Sequence, residues 1–101
     1  MRSREIAKAV KSALPQSKTL NLGDQLEVRS LMGIDREDCE KGGCTVIFSV
    51  LITKYKLDVE FSVDGFTEEG LRKEKKILPP KCRECMMEVL QTWKEKVLES
   101  L

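Results

Sequence analysis

The stretch TVIFSVLITKYKLDVEFSVDG, residues 45–65, decides the fold. Its first part, Thr45 to Thr53, is β-branched and apolar enough to be a central strand. Val46, Phe48, Val50 and Ile52 share one parity and make a fully apolar face. Tyr55, Leu57, Val59, Phe61 and Val63 then alternate with Lys56, Asp58, Glu60 and Ser62, on the opposite parity. Strand side chains alternate between faces, so one straight strand through both blocks would turn its core face outward. A bulge or tight turn at Thr53-Lys54 is therefore required, and Asp64-Gly65 ends the sheet region.

Upstream, Leu20 and Leu22, then Leu26 and Val28, keep one parity, with Gly23-Asp24 between them as a turn or bulge. A strand over about 25–32 follows, and the polar run Asp35 to Gly43 is a loop. Before it, Ile6, Ala9, Val10, Ala13 and Leu14 recur at helical spacing, with Ser3 as N-cap, Glu5 in the first turn and Pro15 as the stop. Downstream, Thr67 caps a short helix holding Glu68, Glu69 and Leu71, and Pro79-Pro80 precedes a last helix that begins near Lys81. Its apolar stripe is Met86, Val89, Leu90, Trp93, Val97 and Leu101. The pattern predicts a single α+β domain over residues 1–101, a three-stranded or four-stranded antiparallel sheet flanked by an N-terminal and a C-terminal helix.

Composition narrows the function. The chain has 101 residues, 41% hydrophobic and 35% charged, which fits a globular protein and not a disordered one. No apolar run nears the roughly 20 residues that span a bilayer. The opening MRSREIAKAV lacks the apolar stretch of a signal peptide, so the expectation is an intracellular, cytoplasmic protein with no membrane role. Histidine is absent, which removes the commonest general base, the Ser-His and Cys-His nucleophile pairs, and mixed Cys/His metal sites. A catalytic Cys82 or Cys85 would need activation by Lys81, Arg83 and a helix dipole alone, so a non-enzymatic protein with no small-molecule substrate is expected.

Four cysteines stand in two close pairs, Cys39-x4-Cys44 and Cys82-x2-Cys85. Four thiolates at tetrahedral geometry fill a structural zinc shell and leave no open position for substrate. The first pair lies in the turn CEKGGC between two strands, and the second opens the last helix, whose N-terminal dipole favours thiolates. A knuckle on a hairpin with CxxC at a helix start is similar to the treble-clef zinc layout, with four intervening residues in this knuckle where two are usual. Such a zinc would clip the last helix to the sheet, and Lys41, Lys81 and Arg83 would offset its negative charge. Disulfides, reduced thiols and another metal are the competing readings of the same residues.

A formal net charge of +1 hides an uneven distribution. Residues 1–23 carry Arg2, Arg4, Lys8, Lys11 and Lys18 against Glu5 alone; residues 71–83 carry Arg72, Lys73, Lys75, Lys76, Lys81 and Arg83 against Glu74 alone. The second set, beside the proposed metal, makes a candidate phosphate-binding surface for RNA or an RNA–protein particle. The alternative is a protein–protein adaptor, in which the acidic sheet face or the last helix meets a protein partner and the basic residues only solvate the surface.

Overall fold

The computed structural model describes residues 2–34, 44–73 and 80–101. The decisive block forms two strands, β3 (Cys44–Thr53) and β4 (Val59–Val63), and β3 is central. On its other side β2 (Gln25–Ile34) pairs over its full length, from Gln25 opposite Thr53 to Ile34 opposite Cys44. β1 (Lys18–Asn21) then pairs with β2, so the sheet is a four-stranded antiparallel meander in the order β1-β2-β3-β4. The Leu20 alternation thus belongs to a fourth strand, joined to β2 through the turn at Gly23, whose φ of 79° suits glycine.

The parity switch is resolved by a turn. Residues 54–58 leave the sheet, the Thr53 N–H donates to the Asp58 carbonyl at 2.9 Å, and Leu57 takes a φ of 52°. β4 is therefore shorter than the 55–63 alternation suggests. Tyr55 is 82% exposed and its hydroxyl meets Asp24 Oδ1 at 3.2 Å, while Lys54 Nζ donates to the Gly23 carbonyl at 2.5 Å. Those bonds tie the β3–β4 turn to the β1–β2 turn, and alternation alone does not reveal them. At the other end Asp64 and Gly65, with φ of 49° and 84°, close a turn in which Val63 and Phe66 exchange backbone hydrogen bonds at 2.8 Å. Two successive positive φ values are what a tight Asp-Gly hairpin turn uses.

Helix α1 (Ser3–Ala13) and helix α3 (Pro80–Ser100) pack side by side on one face of the sheet. Val28, Phe48, Val50, Ile52 and Val63 meet them from the sheet, and Val10, Met86, Val89, Leu90 and Val97 from the helices. The α1 stripe is rotated from its expected position: Ala7 is buried and Ala9 is half-buried, because two neighbours, β2 and α3, claim the helix. Its N-cap is Arg2, with no side-chain capping bond, and not Ser3. Leu101 lies past the end of α3 and is exposed, so the core stripe ends at Val97. Buried Ser30 donates from its hydroxyl to the Pro15 carbonyl, fastening the α1–β1 connection to β2. Helix α2 (Glu68–Lys73) is capped as expected, with the Gly70 N–H on Thr67 Oγ1 at 3.1 Å, and it buries Leu71.

Candidate metal centre and open sheet face

The backbone carries Cys44 to the start of β3, opposite Ile34 and in phase with Val46 and Phe48. Cys82 and Cys85 lie in the first turns of α3, and Cys85 is fully buried. The direction of α3 follows from three contacts. Lys94 lies 5.8 Å from the centre of the Phe61 ring, Gln91 donates to Glu68 at 2.9 Å beyond the end of β4, and Arg83 borders the same hollow as Arg72. Traced from its C-terminal half toward its start, α3 therefore runs as β4 does from Phe61 to Val63, which on β3 is the direction of Cys44. The register thus carries Cys44, Cys82 and Cys85 toward one end of the domain. Cys39 lies outside the described residues, and among those residues no group of three or more cysteine or acidic side chains is gathered as a metal site.

Two members of the expected basic surface, Arg72 and Lys73, are occupied by their own neighbours. Arg72 Nη2 lies 2.7 Å from Glu68 Oε1, and Lys73 Nζ 2.6 Å from Glu69 Oε1, both one helical turn away on α2. Glu68 is the hub of that corner, because Lys94 also approaches it at 3.6 Å. The Gln91 hydrogen bond, aided by the charges of Arg72 and Lys94 and opposed by partial burial, holds the Glu68 carboxyl below its ordinary range. Arg83 is half-buried, Lys81 lies in the first turn of α3, and Lys75 and Lys76 fall outside the described residues. On α1, by contrast, Arg4, Lys8 and Lys11 are exposed and have no ion-pair partner among the described residues.

No described helix covers the second face of the sheet, and the sequence reading did not single out its residues. Across the strands it presents Leu20, Glu27, Leu51 and Glu60 in one row and Lys18, Arg29, Ser49 and Ser62 in the next. In the third row Leu31 faces Ile47, and Asp64 extends the row by taking the Ile47 N–H on Oδ1 at 2.7 Å. Leu31 is 62% exposed and Ile47 43%. Arg29 Nε sits 2.5 Å from Glu27 Oε1, so a carboxylate only 9% exposed has its countercharge on the same strand. A hollow of about 540 Å³ opens beside this pair, lined by Ser49, Ser62, Glu60 and Asp64. The available signal was apolar residues on the polar parity, Leu31, Ile47 and Leu51, which a strand with one solvated face does not need.

No family model, curated protein or solved structure matches this chain. Among the described residues no helix is long and apolar enough to cross a membrane.

Proposed function

We propose that this chain is a non-enzymatic binding module that docks protein through the sheet face that no described helix covers. The observation that carries the reading is the pair Leu31 and Ile47, exposed side by side between charged columns. Burying the exposed part of these two side chains against a partner contributes about 1–2 kcal/mol each before the costs of association. An apolar centre with a charged rim is also the usual anatomy of a protein interface. The test is capture of binding proteins by wild type and by a folded Leu31→Asp/Ile47→Asp variant. Loss of the captured partners in the variant supports the reading, and equal capture by both proteins rejects it.

The zinc proposal completes the module: Cys39, Cys44, Cys82 and Cys85 hold a structural Zn²⁺ that fastens the start of α3 to the β2–β3 hairpin. Its support is the shared end of the fold reached by Cys44 and the CxxC pair. We expect one zinc per chain in freshly purified protein, and a large fall in melting temperature with chelator. Full metal content in a Cys82→Ser/Cys85→Ser variant would reject this ligand set.

A second reading, contact with RNA or another nucleic acid, is favoured by the exposed cations of α1, which have no ion-pair partner among the described residues, more than by Arg72 and Lys73, which carry acidic partners. Fluorescence anisotropy with a single-stranded RNA at two salt concentrations tests it. Phosphate contacts require affinity to fall steeply with salt and to drop in a Lys8→Glu/Lys11→Glu variant.

A further inference from the structure

The charges on the open face are not scattered. Lys18 and Arg29 put two exposed cations on the β1–β2 side, where the Glu27 carboxylate is nearly covered and held by Arg29, and Glu60 and Asp64 form an acidic column on the β4 side. Leu31 and Ile47 lie between them, on the two inner strands, at the same height. A surface that is basic on one flank, acidic on the other and apolar along the midline is complementary to itself under a two-fold rotation.

Only one of the two simple axes satisfies it. A two-fold axis perpendicular to the strands lays β1 over β1 and β4 over β4, so the two acidic β4 flanks meet each other. An axis parallel to the strands, between β2 and β3, lays β2 over the second copy's β3 and β1 over its β4, with each row kept at its own height. Leu31 of one copy then sits over Ile47 of the other. Arg29 arrives over Ser49 and Ser62, where the hollow of about 540 Å³ opens between the rows that carry Glu60 and Asp64. Each contact occurs twice.

Arg29 is suited to that place. Its side chain is 51% exposed, and Nε and Nη2 both donate to Glu27, which leaves Nη1 and the outer N–H of Nη2 for a second carboxylate. Two twisted sheets packed face to face settle about 10 Å apart with strands crossing near −30°, a spacing that interdigitated Leu and Ile side chains fill. We propose that this face is an isologous dimer interface whose partner is a second copy of this chain. The inference rests on the docking-face reading above and names the occupant of that face.

Size sets the expected strength. Four strands about 4.8 Å apart and five or six residues long give a face of roughly 20 by 20 Å. That is below the roughly 1,200 Å² in total of standard specific interfaces and in the range of weak, transient ones, so a reversible dimer that forms only toward the upper end of the concentration range is expected. Sedimentation velocity on the full-length, reduced and metal-replete chain from 1 µM to 1 mM reads it directly. Wild type should dimerise in low salt and weaken several-fold when screening is raised to about 0.5 M salt. Leu31→Asp and Glu60→Lys, both at exposed positions, should each weaken the dimer at least about tenfold while circular dichroism shows an unchanged fold. A wild-type protein that stays monomeric to 1 mM overturns the second-copy partner and leaves the face to a different protein. A dimer that both folded variants keep at wild-type strength overturns this interface, while the docking-face reading itself falls only if the Leu31→Asp/Ile47→Asp variant also captures the same proteins as wild type.

Discussion

The two faces of this sheet are built from the same four strands and do opposite things. On the helix side, Val28, Phe48, Val50 and Ile52 are completely covered, with α1 and α3 packed over them, and the residues that meet them are apolar. On the other side the rows mix Leu20, Leu31, Ile47 and Leu51 with Lys18, Glu27, Arg29 and Glu60, with no described helix above them. The closed face spends its apolar surface on folding. The open face keeps apolar surface that folding does not use, and surface left unused in that way is available for association. The contrast also separates two kinds of ion pair. Glu27–Arg29 is a near-buried carboxylate matched on its own strand, whereas Lys73–Glu69 is solvent-exposed on both partners and contributes little to stability.

The comparison can be broken most directly by truncation on each side. Phe48→Ala should cost about 3–5 kcal/mol in urea unfolding, since it empties a fully buried ring site stacked against Phe61. Leu31→Ala, on the open face, should stay within about 0.5 kcal/mol of wild type when measured on the monomer. A large loss at Leu31 would mean that the open face also carries the fold. Ser30→Ala should cost about 0.5–1.5 kcal/mol, because it removes the bond from the buried Ser30 hydroxyl to the Pro15 carbonyl and loosens the α1–β1 connection from β2. Thr67→Ala should cost about 1 kcal/mol through the lost cap on α2, and Thr67→Ser should restore most of it.

The smallest effect is a pH dependence. Glu68 has a carboxyl held below its ordinary value in the folded protein, so its contribution is present above that value and lost as pH falls through it. Melting temperature should therefore drop more between about pH 5 and pH 3 for wild type than for Glu68→Gln. Parallel acid limbs for the two proteins would show that the corner formed by Arg72, Gln91 and Lys94 does not depend on the carboxylate charge.

Some of this architecture is visible in single residues. The switch of apolar parity between Ile52 and Tyr55 forces a break in the strand, and a turn over residues 54–56 is what stands there. Thr67 caps α2 as its position implies, because a cap acts within one turn of chain. Ser3 is the counter-example: it joins the helix as its first residue, and Arg2 takes the cap without a side-chain bond. The rotation of the α1 stripe toward Ala7 has a non-local cause, the simultaneous contact with β2 and α3. The candidate sites divide in the same way. Cysteine spacing reads directly from the chain, but whether Arg72 and Lys73 are available depends on Glu68 and Glu69 being one helical turn away in the folded protein.

By itself the sequence determines the period of each segment, hence the α+β class, the antiparallel pairing of neighbours and the residues of the helix-facing side. These follow from local sterics and from the alternation of apolar side chains, both of which act over a few residues. Only the tertiary structure decides that Lys18 joins a strand beside Arg29, that Glu60 lies two strands from Glu27, and that Leu31 stands next to Ile47 on a face no described helix covers. Strand register places residues distant in sequence within about 5 Å of one another, and it is set by the sum of all pairings and not by any single one.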